Sequence, residues 1–152
     1  MRFPILILAL VGAACGGRTR PEPAAAPSAQ YLTPYGVPTR PFSPAVRVGN
    51  MLYLSGQIGT PDATSGAVVP GGIEAETRQT LENIKDVLQR TGSSMDRVVK
   101  CTVMLADLRE WDRMNVVYAS YFTKNKPARS ALGASGLALG ARVEIECWAT
   151  VG

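Results

Sequence analysis

The chain has 152 residues, 46% of them hydrophobic, a formal net charge of +4 and no histidine. That length allows one domain with a true core, and the missing histidine removes the commonest general base, the commonest transition-metal ligand and every Ser-His or Cys-His nucleophile pair. Residues 1–30 hold three of the 16 basic residues and one of the 12 acidic ones, leaving 13 against 11 elsewhere; so small an excess, with no basic stripe, argues against a nucleic-acid partner.

The N-terminus opens with Arg2 and the apolar run Phe3 to Val11, too short to span a bilayer, followed by Gly12-Ala13-Ala14-Cys15. This reads as an export signal over residues 1–15 with Cys15 as a lipidation site, although Gly12 stands where such sites usually carry leucine. The expected location is the bacterial cell envelope or periplasm, touching the membrane only through the N-terminal lipid. Plain cleaved secretion and a cytosolic protein with a misassigned start are the other readings. Residues 16–38 are rich in Pro, Ala, Gly and Ser and read as a flexible tether. The folded domain is expected over residues 39–152.

Within it, Val46-Arg47-Val48 and Met51 to Ile58 flank the turn signal Gly49-Asn50 and should form a hairpin. Gly56 inside the second strand suggests a bulge or a close backbone approach. Ala67-Val68-Val69 is a candidate third strand. Ile73, Thr77, Leu81, Ile84 and Leu88 recur at helical spacing, so Gly71 to Thr91 should be a helix stopped by Gly92. Val98 to Leu105 reads as a strand with Val99, Cys101, Val103 and Leu105 on one side. Asp107 can cap a second helix whose stripe is Trp111, Met114, Val117, Tyr118 and Phe122. Two strands close the chain, about Arg129 to Ala134 and Arg142 to Thr150. In the last one, Val143, Ile145, Cys147 and Ala149 share a side opposite Glu144 and Glu146. Cys101 and Cys147 fall on apolar parities, as two buried thiols or, in an oxidising compartment, as a disulfide.

The implied fold class is α+β: a single mixed sheet with both helices on one face. The other face would show Met104 and Trp148 among Lys100, Thr102, Glu144 and Glu146. A face half apolar and half charged suggests burial against further copies of the chain, with any site at the seams. Arg129 could hold a carboxylate through two charge-assisted hydrogen bonds. Glu144 could orient or deprotonate a water, helped by a raised pKa. The same two residues could instead form an interface salt bridge. On local pattern alone, Asn115 reads as a surface or capping residue and Ser55 as an ordinary strand serine.

The sequence also resembles the RidA (YjgF-type) family of reactive-intermediate (enamine/imine) deaminases. The likeness runs from about Phe42 to Thr150. It rests on Gly49-Asn50 leading into Ser55-Gly56-Gln57-Ile58, on Thr77-Arg78-Gln79-Thr80-Leu81-Glu82-Asn83-Ile84, and on Val99-Lys100-Cys101-Thr102-Val103. It continues through Met114-Asn115-Val116-Val117-Tyr118, and its most specific part pairs Pro127-Ala128-Arg129-Ser130 with Val143-Glu144-Ile145-Glu146. The resemblance implies a homotrimer around a central barrel with clefts between subunits, and cofactor-free, metal-free hydrolysis of 2-imino acids to 2-oxo acids and ammonia. It implies that Arg129 holds the substrate carboxylate, that Glu144 positions the water, and that Ser55, Gly56, Asn115 and Phe42 line the pocket. Phe42 stands where the family often has tyrosine, and Ala131 where many members have cysteine. An exported protein would rarely meet cytosolic imino acids, so a non-catalytic trimeric module binding small carboxylates or a partner at the same clefts is the alternative.

Overall fold

The computed structural model of the chain describes residues 26–36, 39–62 and 64–152. The export signal over residues 1–15, lipidation at Cys15 and the first part of the tether lie outside the described residues.

Among the described residues seven strands form one mixed sheet, and two α-helices cover one side of it. The strands are β1 (Ala29–Leu32), β2 (Ala45–Val48), β3 (Met51–Leu54), β4 (Gln57–Ile58), β5 (Val98–Leu105), β6 (Ala128–Gly133) and β7 (Val143–Thr150). The helices are α1 (Gly72–Arg90) and α2 (Trp111–Tyr121). Strand order is β1-β2-β3-β7-β5-β6, with β4 also pairing β7. Among the described residues only β5 and β6 run parallel, and α2 supplies the crossover between them.

The helix-facing side is the apolar core. Leu52 and Leu54 of β3, Cys101, Val103 and Leu105 of β5, and Val143, Ile145, Cys147 and Ala149 of β7 pack against Ile73, Leu81, Ile84 and Leu88 of α1. From α2, Met114 and Tyr118 join them. The opposite side is bare. There Val46 pairs with Tyr53, and Tyr53 with Trp148, whose rings meet edge to face at 5.2 Å. Thr102 and Met104 lie opposite Glu146 and Glu144 on the same side.

Four expectations need correction. Residues 29–32 are not tether but the edge strand β1, antiparallel to β2; four residues are too few to show an apolar period. Ala67 to Val69 is not a strand; the Val69 amide donates to the Gly59 carbonyl at 2.8 Å, while Ala67 bonds only the nearby Ser65 hydroxyl. Val99 is 42% exposed rather than core, because β5 and β7 slip register between Val98 and Lys100. A bulge inserts one residue and reverses the parity on one side of itself, so Val98 is buried instead. Finally, Cys101 and Cys147 face each other across β5 and β7 and are joined as a disulfide, not left as two thiols.

The β2–β3 hairpin turns on Gly49 and Asn50, with Gly49 at φ 60°. That left-handed value is open to glycine without a Cβ clash.

Candidate active site

Glu144 leaves β7 on the bare face. Two buried carboxylates fix the strand's start. Glu110, at the N-terminal end of α2, accepts from Arg142 Nε at 2.8 Å and Nη2 at 2.6 Å. Glu76 of α1 accepts from the Arg142 amide at 2.8 Å. Both helices therefore hold Arg142, which immediately precedes β7 and lies two residues before Glu144.

Across the sheet, β3 and β4 pair with different parts of β7, Tyr53 opposite Trp148 and Gln57 opposite Ile145. Three residues, Leu54 to Gly56, span a gap that two residues span on β7, which is a bulge. The Glu144 carboxylate occupies that irregularity: a Cβ on Gly56 would collide with its Oε1 and lie 3.0 Å from its Cδ. The missing side chain makes the seat for the carboxylate. Beside it, Ser55 Oγ donates to the Ser43 carbonyl at 2.7 Å, tying the bulge to the segment before β2. Burial, and then the like charge of Glu146, hold the Glu144 carboxyl above the usual carboxylate range.

Arg129 occupies a different place. In the parallel ladder it lies opposite Cys101, which faces the helices, so its side chain rises on the covered face. There Nη1 donates to Asn115 Oδ1 at 2.7 Å. The guanidinium carbon sits 4.7 Å from the centre of the Tyr118 ring and 5.5 Å from that of Trp111. Trp111, Asn115 and Tyr118 are four and three residues apart on α2 and so present one face to the guanidinium. Arginine stacked on aromatic faces keeps its forward donors free for a ligand. Arg129 opens onto a cavity of about 300 Å³ whose other walls are Asn115, Tyr118, Ala119, Phe122, Lys126 and Pro127.

The sequence candidates thus fall into two half-sites. Ser55, Gly56 and Glu144 are together, and Arg129 is with Asn115. Phe42 precedes the Ser43 that anchors Ser55, and lines a second cavity of about 700 Å³ with Tyr35, Gln57, Asn83 and Asp86. It does not line the cavity of Arg129. Arg129 and Glu144 form no salt bridge with each other or with any other side chain among the described residues. Within one chain they lie on opposite faces of the sheet. Helical spacing alone places Trp111 and Tyr118 in a core stripe. The spacing of both to Asn115 was the signal that they also cradle a cation.

The family model described as Endoribonuclease L-PSP matches residues 35–151. The chain is 43% identical over 112 residues to a Mus musculus protein named 2-iminobutanoate/2-iminopropanoate deaminase, across 74% of this chain and 82% of that one. It is 45% identical over 112 residues to the Bos taurus protein of the same name, across 74% and 81%. Among solved structures it is similar to RidA from an Antarctic Psychrobacter, with a TM-score of 0.69 and 34% identity, covering 76% of this chain and 92% of that one.

Proposed function

The chain belongs to the RidA (YjgF-type) family, and from that membership we propose that it is an enzyme deaminating small 2-imino and enamino acids in clefts shared between subunits of a homotrimer. The observation that carries this reading is the division of the site. One chain offers a cation with neutral neighbours on the covered face and a carboxylate of raised pKa on the bare face. A cleft between two copies unites one half from each. The bare face, with Val46, Tyr53, Met104 and Trp148, supplies apolar area for that assembly.

The reaction converts a protonated 2-imino acid and water into a 2-oxo acid and ammonium. Arg129 takes the substrate carboxylate in a two-pronged contact. Glu144 accepts a proton from water as its oxygen bonds to the imine carbon and passes that proton to nitrogen. It then takes the remaining hydroxyl proton as the carbon–oxygen double bond forms and the carbon–nitrogen bond breaks, and the departing ammonia carries that proton away as ammonium. A protonated imine is already electrophilic, so placement of the water supplies most of what is needed. Held above the usual carboxylate range by burial and by Glu146, Glu144 is suited to take up and give back protons.

The test generates 2-iminobutanoate in situ and follows oxo-acid release. Arg129→Ala and Glu144→Gln should each lower kcat/KM at least about 100-fold, the usual scale for losing one such group. Unfolded together and refolded as a mixture, the two variants should regain roughly a quarter of wild-type activity, because random trimers rebuild one intact cleft in four. No recovery would refute the shared cleft. No turnover by the wild type would sink the enzyme reading in favour of a carboxylate-binding module, which Phe42, lacking a hydroxyl, already suits better. Export with lipid attachment at Cys15 is proposed from residues 1–15 alone; Cys15→Ser should release the protein from membranes, and unchanged membrane association would refute the anchor.

A further inference from the structure

The cavity in front of Arg129 holds a second cation. Lys126 lines it, and no acidic residue does. Arg129's hydrogen-bond partner there is the neutral Asn115, and the exposed Lys126 side chain enters no hydrogen bond or ion pair among the described residues. Tyr118, on the same wall, is 7% exposed and its buried hydroxyl has no partner. Burial pushes that hydroxyl to about 12, so it stays a neutral donor. The cavity therefore gathers two cations with no carboxylate of the same chain lining it to answer them, and its amide acceptor, Asn115 Oδ1, already takes a hydrogen bond from Arg129. Arg129 is half-buried and Lys126 exposed; two like charges lining one cavity repel, and each is relieved by an anion. A monocarboxylate on Arg129 leaves Lys126 unanswered; a dicarboxylate answers both. The remaining wall is apolar, Ala119, Phe122 and Pro127, suiting the short methylene chain between two carboxylates.

We propose that Lys126 binds a second carboxylate, so that the preferred ligands are 2-imino dicarboxylates rather than 2-imino acids with an aliphatic side chain. This rests on the assignment of Arg129 to the first carboxylate. Lys126 is here a specificity-determining residue with no part in the proton transfers.

The experiment has a binding arm and a turnover arm, both on the full chain. In the first, 2-oxoglutarate and 2-oxobutanoate, stable planar mimics of the two imine classes, are titrated calorimetrically. The dicarboxylate should bind about tenfold more tightly, the scale of one charge-assisted contact. Lys126→Ala should erase that margin while leaving 2-oxobutanoate affinity unchanged, and Lys126→Arg should keep it. In the second arm, imines are generated in situ from glutamate and from 2-aminobutanoate. Lys126→Ala should raise KM for the dicarboxylic imine about tenfold at constant kcat and leave the other imine untouched. Equal affinity of the wild type for the two oxo acids, or equal losses for both in Lys126→Ala, would overturn the proposal. A dicarboxylate margin without turnover of either imine would leave the second anion site standing and remove the deaminase reading beneath it.

Discussion

The two charged residues of the site are held by opposite means. Arg129 is braced: an amide oxygen fixes one nitrogen, two aromatic faces flank its plane, and its strand neighbour Cys101 is bonded to Cys147. Among the described residues of its own chain, none that lines its cavity carries a negative charge. Glu144 is held by an absence. Its carboxylate lies where Gly56 has no side chain, and its neighbour two residues on is another carboxylate. The first arrangement preserves a fixed charge. The second makes a charge costly and therefore able to change. A clamp and a proton carrier need those different environments, and the sheet supplies them by putting one on each face.

Breaking the brace should have the largest effect, and on stability. The disulfide closes a loop of 46 residues, and chain entropy assigns such a link about 4 kcal/mol. Cys101→Ala with Cys147→Ala, or reduction, should lower the unfolding free energy by that order in denaturant titration. An unchanged midpoint would mean that the link does not brace the Arg129 side. The other half should respond in activity rather than stability. Gly56→Val puts carbon atoms where the Glu144 carboxylate sits. A displacement of about 1 Å at the reacting group costs on the order of 100-fold in kcat. Near-normal turnover by a folded Gly56→Val protein would show that Glu144 does its work from another position.

How far the sequence foretold this contrast depends on which interactions act locally. The period of α1 and the alternation of β7 are set by one element against one core, and Ile73, Leu81, Ile145 and Cys147 are buried as their spacing required. Gly56 was legible for the same reason, since a glycine within a strand marks a bulge or a close approach of neighbouring atoms. Val99 was misplaced because a bulge depends on the partner strand, which local alternation does not encode. The disulfide depended on register: Cys101 and Cys147 are 46 residues apart and meet only because β5 and β7 align them directly. The same limit separated Arg129 from Glu144. The alternation of β7 already put Glu144 on the uncovered face, but nothing local told which face Arg129 served; that required the parallel β5–β6 ladder.

Smaller changes should resolve the two halves further. Asn115→Ala removes one hydrogen bond to Arg129 but leaves both aromatic faces. A neutral partner on a charged group contributes about 1.5–3 kcal/mol at most, and the rings keep part of the orientation. KM should therefore rise on the order of tenfold, with kcat nearly constant. A fall in kcat alone would place Asn115 with the proton chemistry instead.

The least disruptive test acts through pH. Glu144 must be ionised to accept the water proton, and its folded pKa lies above the ordinary range, first through burial and second through Glu146. Activity should therefore rise through an acid limb that lies above the ordinary carboxylate range. Stability has the opposite sign: folding disfavours the ionised carboxylate, so the penalty is present above the folded pKa and relieved as pH falls through it. Glu146→Gln removes the like charge but not the burial. The acid limb of kcat should move to lower pH yet remain above the usual carboxylate position, with the plateau nearly unchanged. Asn115→Ala leaves the Arg129 charge in place and removes only a neutral partner, so it should leave that limb where it is. Movement of the limb by Asn115→Ala would mean that the amide also fixes how far the guanidinium stands from Glu144 across the shared cleft.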